Sequence, residues 1–85
     1  MTVYVDSANL PYRRMIMCHM LADTEEELEA MAKTIGVQLK WWQYKGTYKS
    51  HFDICQTKKA LAIKAGAIEI DKHKLVEILR ERRNT

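Results

Sequence analysis

The run Met15 to Ala22, MIMCHMLA, is apolar at every position but one, and no other stretch limits the fold of this chain so sharply. If it is extended, Met15, Met17, His19 and Leu21 share one face and Ile16, Cys18, Met20 and Ala22 the other. A strand apolar on both faces belongs inside a sheet that is covered on both sides. His19 interrupts the pattern. A buried imidazole needs a hydrogen-bond partner whatever its role. His19 is therefore either a core histidine satisfied by a backbone or carboxylate group, or a pocket residue, and the sequence leaves both readings open.

The residues after that strand are equally legible. Asp23 ends the run, and Thr24 with Glu27 three residues later is the capping-box pattern that opens a helix. Leu28, Met31, Ala32 and Ile35 recur at helical spacing, and Gly36 stands where a left-handed C-terminal residue is expected. Glu25, Glu26 and Glu27 fill the first turn, where the helix dipole favours negative charge, so they read as dipole complement and solvated surface rather than catalytic groups.

The rest of the chain is arranged around this unit. Thr2 to Val5 predicts a first strand that ends at Asp6, and Ser7 to Arg13 holds the single proline and predicts a loop. A connection that short suits antiparallel neighbours. Asp6 and Arg14 would then lie at the same end, as an ion pair or with the guanidinium held ready for a phosphate or carboxylate. Val37 to Tyr44 alternates: Val37, Leu39 and Trp41 predict a core-facing set. Gln38, Lys40, Trp42 and Tyr44 predict an amphipathic strip, suited to a subunit interface, to a stacked base, or to packing beneath a helix. Lys45 to Ser50 predicts a turn. His51 and Asp53 share a side if their segment is extended, while Asp53 also stands where it could cap a helix through ICQTKKALAIKAG that Gly66 terminates. With His51, Lys58 and Lys59 near that helix start, an anion could be received there. Ala67 to Ile70 predicts a last strand. Asp71 caps a last helix with Leu75, Val76, Ile78 and Leu79 inward, and the terminal RERRNT is expected to fray.

The predicted fold is thus α/β: one domain over residues 1–85, a small mixed sheet of about four strands with three helices, in the order ββαβαβα. A chain of 85 residues has a marginal core, and self-association would help stabilise it. Fourteen basic against eleven acidic side chains leave a charge of +3, which tolerates an anionic partner. A dedicated duplex-DNA binder would carry a denser basic face, so nucleic acid is not the favoured partner. No apolar run approaches the roughly 18 residues needed to cross a bilayer, and no signal peptide pattern opens the chain, so no membrane partner and a cytoplasmic location are expected. Cys18 and Cys55 lack zinc-like spacing and predict buried, reduced thiols.

Tests for familiar chemistry mostly fail. The chain holds no G-x-G-x-x-G, P-loop, nucleophile elbow or H-E-x-x-H. His19, His51, Asp53, Asp23 and Asp6 are adequate in kind for a divalent metal. Their spacing is not diagnostic, so neither a metal nor another cofactor is assigned. The stretches MTVYVDSANLPYRRMIMCHMLADTEEELEAMAKTIGV, WWQ, HFDI and TKKALAIKAGAIEI do, as a set, resemble a small family of bacteria and their phages, the domain of unknown function numbered four-zero-three-one. The resemblance spans nearly the whole chain and brings no activity with it. It implies that Asp6, Arg14, His19, Asp23, Trp42, His51, Asp53 and Lys58 or Lys59 occupy recurring motif positions, and it admits a phage origin. KGTYKS departs from the pattern and has the character of a variable, specificity-bearing loop.

From these residues the expected function is a small homo-oligomeric binding protein for an anionic, nucleotide-like ligand. In a phage setting it would sequester a host signalling nucleotide. Arg14 and Lys58 or Lys59 would take phosphates, Trp42 would stack on a base, and His19, His51 and Asp53 would hydrogen-bond the remainder, with Asp6 in the same set. One alternative is a hydrolase or phosphodiesterase using His19 or His51 as general acid or base. The other is a protein- or nucleic-acid-binding regulator using the Trp42 strip or the basic carboxyl end.

Overall fold

The computed structural model of the protein describes residues 2–83. Its centre is the predicted apolar strand, β3 (Met15–Ala22), and the pairing around it decides where every functional side chain falls. β1 (Val3–Asp6) lies antiparallel to β3 with Val3 opposite Ala22 and Val5 opposite Met20. Being half the length of β3, β1 covers only its C-terminal part. The remaining edge pairs with β2 (Leu10–Tyr12), where Leu10 faces Met17 and Tyr12 faces Met15. Met17 also lies opposite Cys55, and Met20 opposite Phe52, so β4 (Phe52–Cys55) occupies the other edge of β3. β1 and β2 therefore sit end to end along one side of β3. β5 (Ile68–Ile70) adds in parallel to the outside of β1, giving a mixed five-stranded sheet.

α1 (Glu25–Ile35) and α2 (Gln56–Lys64) cover one face of this sheet. Val3, Val5, Cys18, Met20, Ala22, Phe52 and Ile54 point into that layer and meet Leu28, Ala32, Ile35 and Ala62 in a continuous core. The capping signals of α1 are realised. Thr24 Oγ1 accepts from the Glu27 amide at 3.2 Å and donates to the Glu27 carboxylate at 3.0 Å, while Gly36 at φ 80° closes the helix. α3 (Lys72–Arg83) is capped by Asp71, whose Oδ1 accepts from the Lys74 amide at 2.8 Å. Its apolar side is only partly buried, with Leu75, Ile78 and Leu79 half covered and Val76 exposed. Arg80 to Arg83 belong to this helix rather than fraying, and Asn84 and Thr85 lie outside the described residues. No helix among the described residues is long and apolar enough to cross a membrane.

The α/β class, the mixed sheet and the three helices agree with the sequence reading, but three boundaries do not. Ser7 to Arg13 contains β2, because β3 outlasts β1 and its exposed edge recruits the next extended residues. The hairpin closes tightly through Arg13, which takes a positive φ of 57°. Val37 to Tyr44 is not a strand. The chain leaves Gly36, makes a 3-10 turn at Leu39–Trp41, and pairs with a backbone beside the sheet only as an isolated bridge between Gln43 and His51. Third, α2 begins at Gln56 rather than just after Asp53. Phe52 and Ile54 are buried in alternation against the helical layer, so the period of a strand prevails through Cys55. Asp53 is consequently released from capping and projects from the opposite face.

Candidate functional site

The face of the sheet away from α1 and α2 carries Tyr4, Asp6, His19, Leu21 and Asp53, which alternate with the core residues along β1, β3 and β4. His19 and Asp53 are cross-strand partners, and His51 precedes Asp53 by one strand period. The two imidazoles meet edge to face, with centroids 5.3 Å apart and planes at 74°. His51 Nε2 is 3.3 Å from Asp53 Oδ1, and His19 Nε2 is 3.9 Å from the same oxygen. One atom from each of His19, His51 and Asp53 fits within a 4.8 Å set, which is metal-ligand spacing.

The other atom of every member is committed. Asp6, only 2% exposed, accepts from His19 Nδ1 at 2.6 Å through Oδ2. Its Oδ1 accepts from the His19 and Ala8 amides at 2.8 and 3.3 Å. His51 Nδ1 donates to the Lys49 carbonyl at 2.6 Å. Gln43 Nε2 donates to Asp53 Oδ2 at 2.9 Å. These partners place the Nδ1 protons and turn both Nε2 atoms toward Asp53 Oδ1. That oxygen is buried and accepts no hydrogen bond, although His51 lies close enough to attract its charge. A buried carboxylate oxygen facing two imidazole nitrogens is costly unless something bridges them. A tetrahedral ion with arms of about 2.1 Å would hold its ligand atoms about 3.4 Å apart, so only a modest contraction is needed to close the set.

Electrostatics favour the same use. The hydrogen bond to Asp6 raises the His19 pKa above its usual value, against the opposing effect of burial, and the Asp6 and Asp53 charges add to it. Burial works to raise the Asp6 carboxyl, but the hydrogen bonds from the His19 ring and amide outweigh it and the net shift is downward. Asp53 is lowered by His51 first, with burial opposing and the Gln43 bond assisting. Two ionised carboxylates thus face this cluster. A bare anion would be repelled from it, while a cation would be welcomed.

A cavity of about 630 Å³ reaches the cluster at Asp53 and Gln43. It runs past the open side of β4, between Leu10, Tyr12, Met15 and Met17 on one hand and Trp41 and Lys58 on the other.

The sequence-predicted residues divide accordingly. His19, His51, Asp53 and Asp6 converge, and His19 fits both of its readings at once, carboxylate-partnered yet 29% exposed. Asp23 stays apart, accepting from the Thr2 amide and the Tyr4 hydroxyl at 2.9 and 3.0 Å. Arg14 is exposed at the β2–β3 turn, and the ion pair weighed for Asp6 goes to His19 instead, because the register places Asp6 beside His19. Trp42 faces the helical layer: its ring lies 5.2 Å from Phe52 and its Nε1 donates to Ser50 Oγ at 2.8 Å. Lys58 donates to the Ile35 carbonyl at 2.8 Å and lines the cavity, whereas Lys59 pairs with Glu69 at 2.6 Å. Burial pushes the Cys18 thiol up to about 11, which removes it as a nucleophile at neutral pH.

Gln43 and Tyr12 were not singled out by the sequence, since their roles depend on how the loops close, and Leu39 and Trp41, expected to face the core, are exposed because their segment is a 3-10 turn and not a strand. Glu25 likewise does more than complement a dipole. Its Oε2 accepts from the Gly46 amide at 2.6 Å and Ser50 Oγ at 2.8 Å, tying the loop that delivers His51 to the start of α1.

A mixed-sheet α/β protein with a histidine–carboxylate centre on the sheet face away from α1 and α2 is thereby defined. The chain belongs to the family described as Protein of unknown function (DUF4031), whose model matches residues 3–82. No curated protein and no solved structure matches it significantly.

Proposed function

We propose that the protein is a divalent-metal-dependent hydrolase of small phosphoesters, with His19, His51 and Asp53 as the metal ligands. The observation that carries this reading is the convergence of two oriented Nε2 atoms on a buried carboxylate oxygen that has no hydrogen bond. Two histidines and one carboxylate suit Zn²⁺ or Fe²⁺, and a three-ligand set keeps positions open for water and substrate. A metal held there supplies charge to phosphoryl oxygens and acidifies a bound water. Hydrolysis adds that water's oxygen to phosphorus, breaks the bond to the ester oxygen and delivers a proton to the departing alcohol. Asp6 acts behind His19 and Gln43 behind Asp53, each fixing a ligand's orientation.

The expected anionic ligand is kept in this reading, but it is received through the metal rather than by Arg14, Lys59 or Trp42. Sequestration without turnover is the second reading. It is favoured by the cavity lining, which offers only Tyr12, Cys55 and Lys58 as titratable groups besides Asp53. An oligomeric working form is part of the proposal too, supported by the short chain and by exposed Ile16, Leu61, Ile63 and Ile68, none of which lines the cavity.

The test is metal content by mass spectrometry, followed by zinc titration and by turnover of p-nitrophenyl phosphate and its bis ester. One metal per chain, lost in His51→Ala and Asp53→Asn, with metal-dependent turnover, supports hydrolysis. Metal and phosphate binding without turnover selects sequestration. Failure to bind Zn²⁺, Fe²⁺ or Mn²⁺ at micromolar concentration removes the reading.

A further inference from the structure

The cavity beside β4 differs in character from the centre it adjoins, and the difference bears on what would enter. Its walls are Tyr12, Met15, Met17 and Trp41, large flat or polarisable side chains, and Tyr12 and Trp41 are 51% and 57% exposed. Exposed rings in the wall of a concave site are suited to receive a ligand's ring. Each carries a cation over it: the Arg13 guanidinium lies 5.6 Å from the Tyr12 centroid and Lys40 Nζ 5.2 Å from that of Trp41. Also in the wall, Lys58 spends one of its three donors on the Ile35 carbonyl and has two more to offer. The mouth is therefore cationic and aromatic, while the end at Asp53 is anionic and metal-seeking.

We propose that this cavity selects organic phosphates that carry a flat ring, the ring lying against Tyr12 and Trp41 and the phosphate reaching the metal at Asp53. The proposal rests on the metal reading for its phosphate end only; the ring end stands on the walls themselves. A volume of about 630 Å³ admits a mononucleotide-sized ligand and far exceeds what inorganic phosphate needs. Stacking on an exposed aromatic should tighten binding of a ring by about 5- to 150-fold. Gln38, also in the wall, presents an amide donor and acceptor to the edge of a heterocycle. Arg13, Lys40 and Lys58 would steer the anion inward, making association faster at low salt. This assigns the stacking role to Trp41 and Tyr12, in place of Trp42.

The experiment is calorimetry on zinc-loaded full-length protein with two matched pairs of non-hydrolysable ligands: phenylphosphonate against methylphosphonate, and the methylenephosphonate analogue of adenosine monophosphate against that of ribose 5-phosphate. The expected result is at least about fivefold tighter binding of the ring-bearing member. A gain in the first pair alone assigns an aryl group, and a gain in the second assigns a nucleobase. Trp41→Leu, which keeps an apolar side chain but no plane, should erase the gain while leaving zinc affinity unchanged. Equal affinities within each pair, or a gain that survives in both Trp41→Leu and Tyr12→Leu, overturn the proposal. If zinc titration shows no site, the phosphate end fails with the metal reading. Ring-dependent heat in the metal-free protein would then still uphold the ring end, and its absence would end both.

Discussion

Replacing Asp6 by Asn isolates the tautomer of His19 from the fold that surrounds it. The Asp6 Oδ1 atom holds both backbone bonds, to the His19 amide at 2.8 Å and the Ala8 amide at 3.3 Å, and an Asn carbonyl can keep them. The Oδ2 position, 2.6 Å from His19 Nδ1, becomes an NH₂ group. Flipping the amide would set its NH₂ against two N–H donors, so the exchange has one favoured orientation. Two donors cannot face each other, and His19 must then carry its proton on Nε2, the nitrogen turned toward Asp53. Loss of such an outer partner costs about 10–100-fold in metal affinity, or about 1.4–2.7 kcal/mol. Folding should suffer less, about 1 kcal/mol, because a charge-assisted bond is exchanged for a neutral one. Zinc affinity measured against a competing chelator, with ring ¹⁵N shifts to report the tautomer, checks both halves. An unchanged tautomer, or zinc affinity within about threefold of wild type while His51→Ala abolishes binding, would refute the orienting role of Asp6.

Two further outcomes are expected. For the metal-free protein, the raised His19 pKa contributes stability that is fully present below the reference value of 6.5 and lost as pH rises through the folded value. The lowered Asp6 and Asp53 values contribute stability that is present above the reference of 3.8 and lost as pH falls through theirs. Thermal melts of the apo protein should therefore peak between those references and decline toward pH 9. Saturating zinc should reverse the alkaline decline, and a flat apo profile would show that the His19–Asp6 pair carries no linkage. Phe52→Ala removes a fully buried ring packed at a tilt against Trp42 and should cost about 3–5 kcal/mol in urea unfolding. A loss under 1 kcal/mol would mean that this part of the core is loosely packed.

The elements that a single local rule specifies were legible in the sequence. Alternation identified β3 and the pairing of His51 with Asp53 on one side, and capping chemistry identified the start of α1 and of α3. Where two rules competed, the choice was made elsewhere in the chain. Asp53 satisfied both a cap and a strand, and the deciding factor was an edge of β3 waiting for Phe52 and Ile54, residues that local spacing cannot see. Trp41 and Trp42 exchanged their expected roles for a related reason. Val37 to Tyr44 meets the edge beside β4 only at the Gln43–His51 bridge, and the 3-10 turn before it sets Trp42 on Phe52 and leaves Trp41 outside. The site itself was half visible. Residue types were adequate for a cation, but their spacing assigned none and pointed instead to an anionic ligand; the distances that make His19, His51 and Asp53 a set arise only from β3 and β4 lying in register.

The junction where β1 gives way to β2 leaves the His19 peptide N–H facing a carboxylate instead of a neighbouring strand. That amide is thereby a natural reporter, since its acceptor belongs to the same residue that grips the imidazole. Its chemical shift and solvent exchange should register proton or ion uptake at the ring without any attached probe, and one backbone resonance could follow occupancy during a titration.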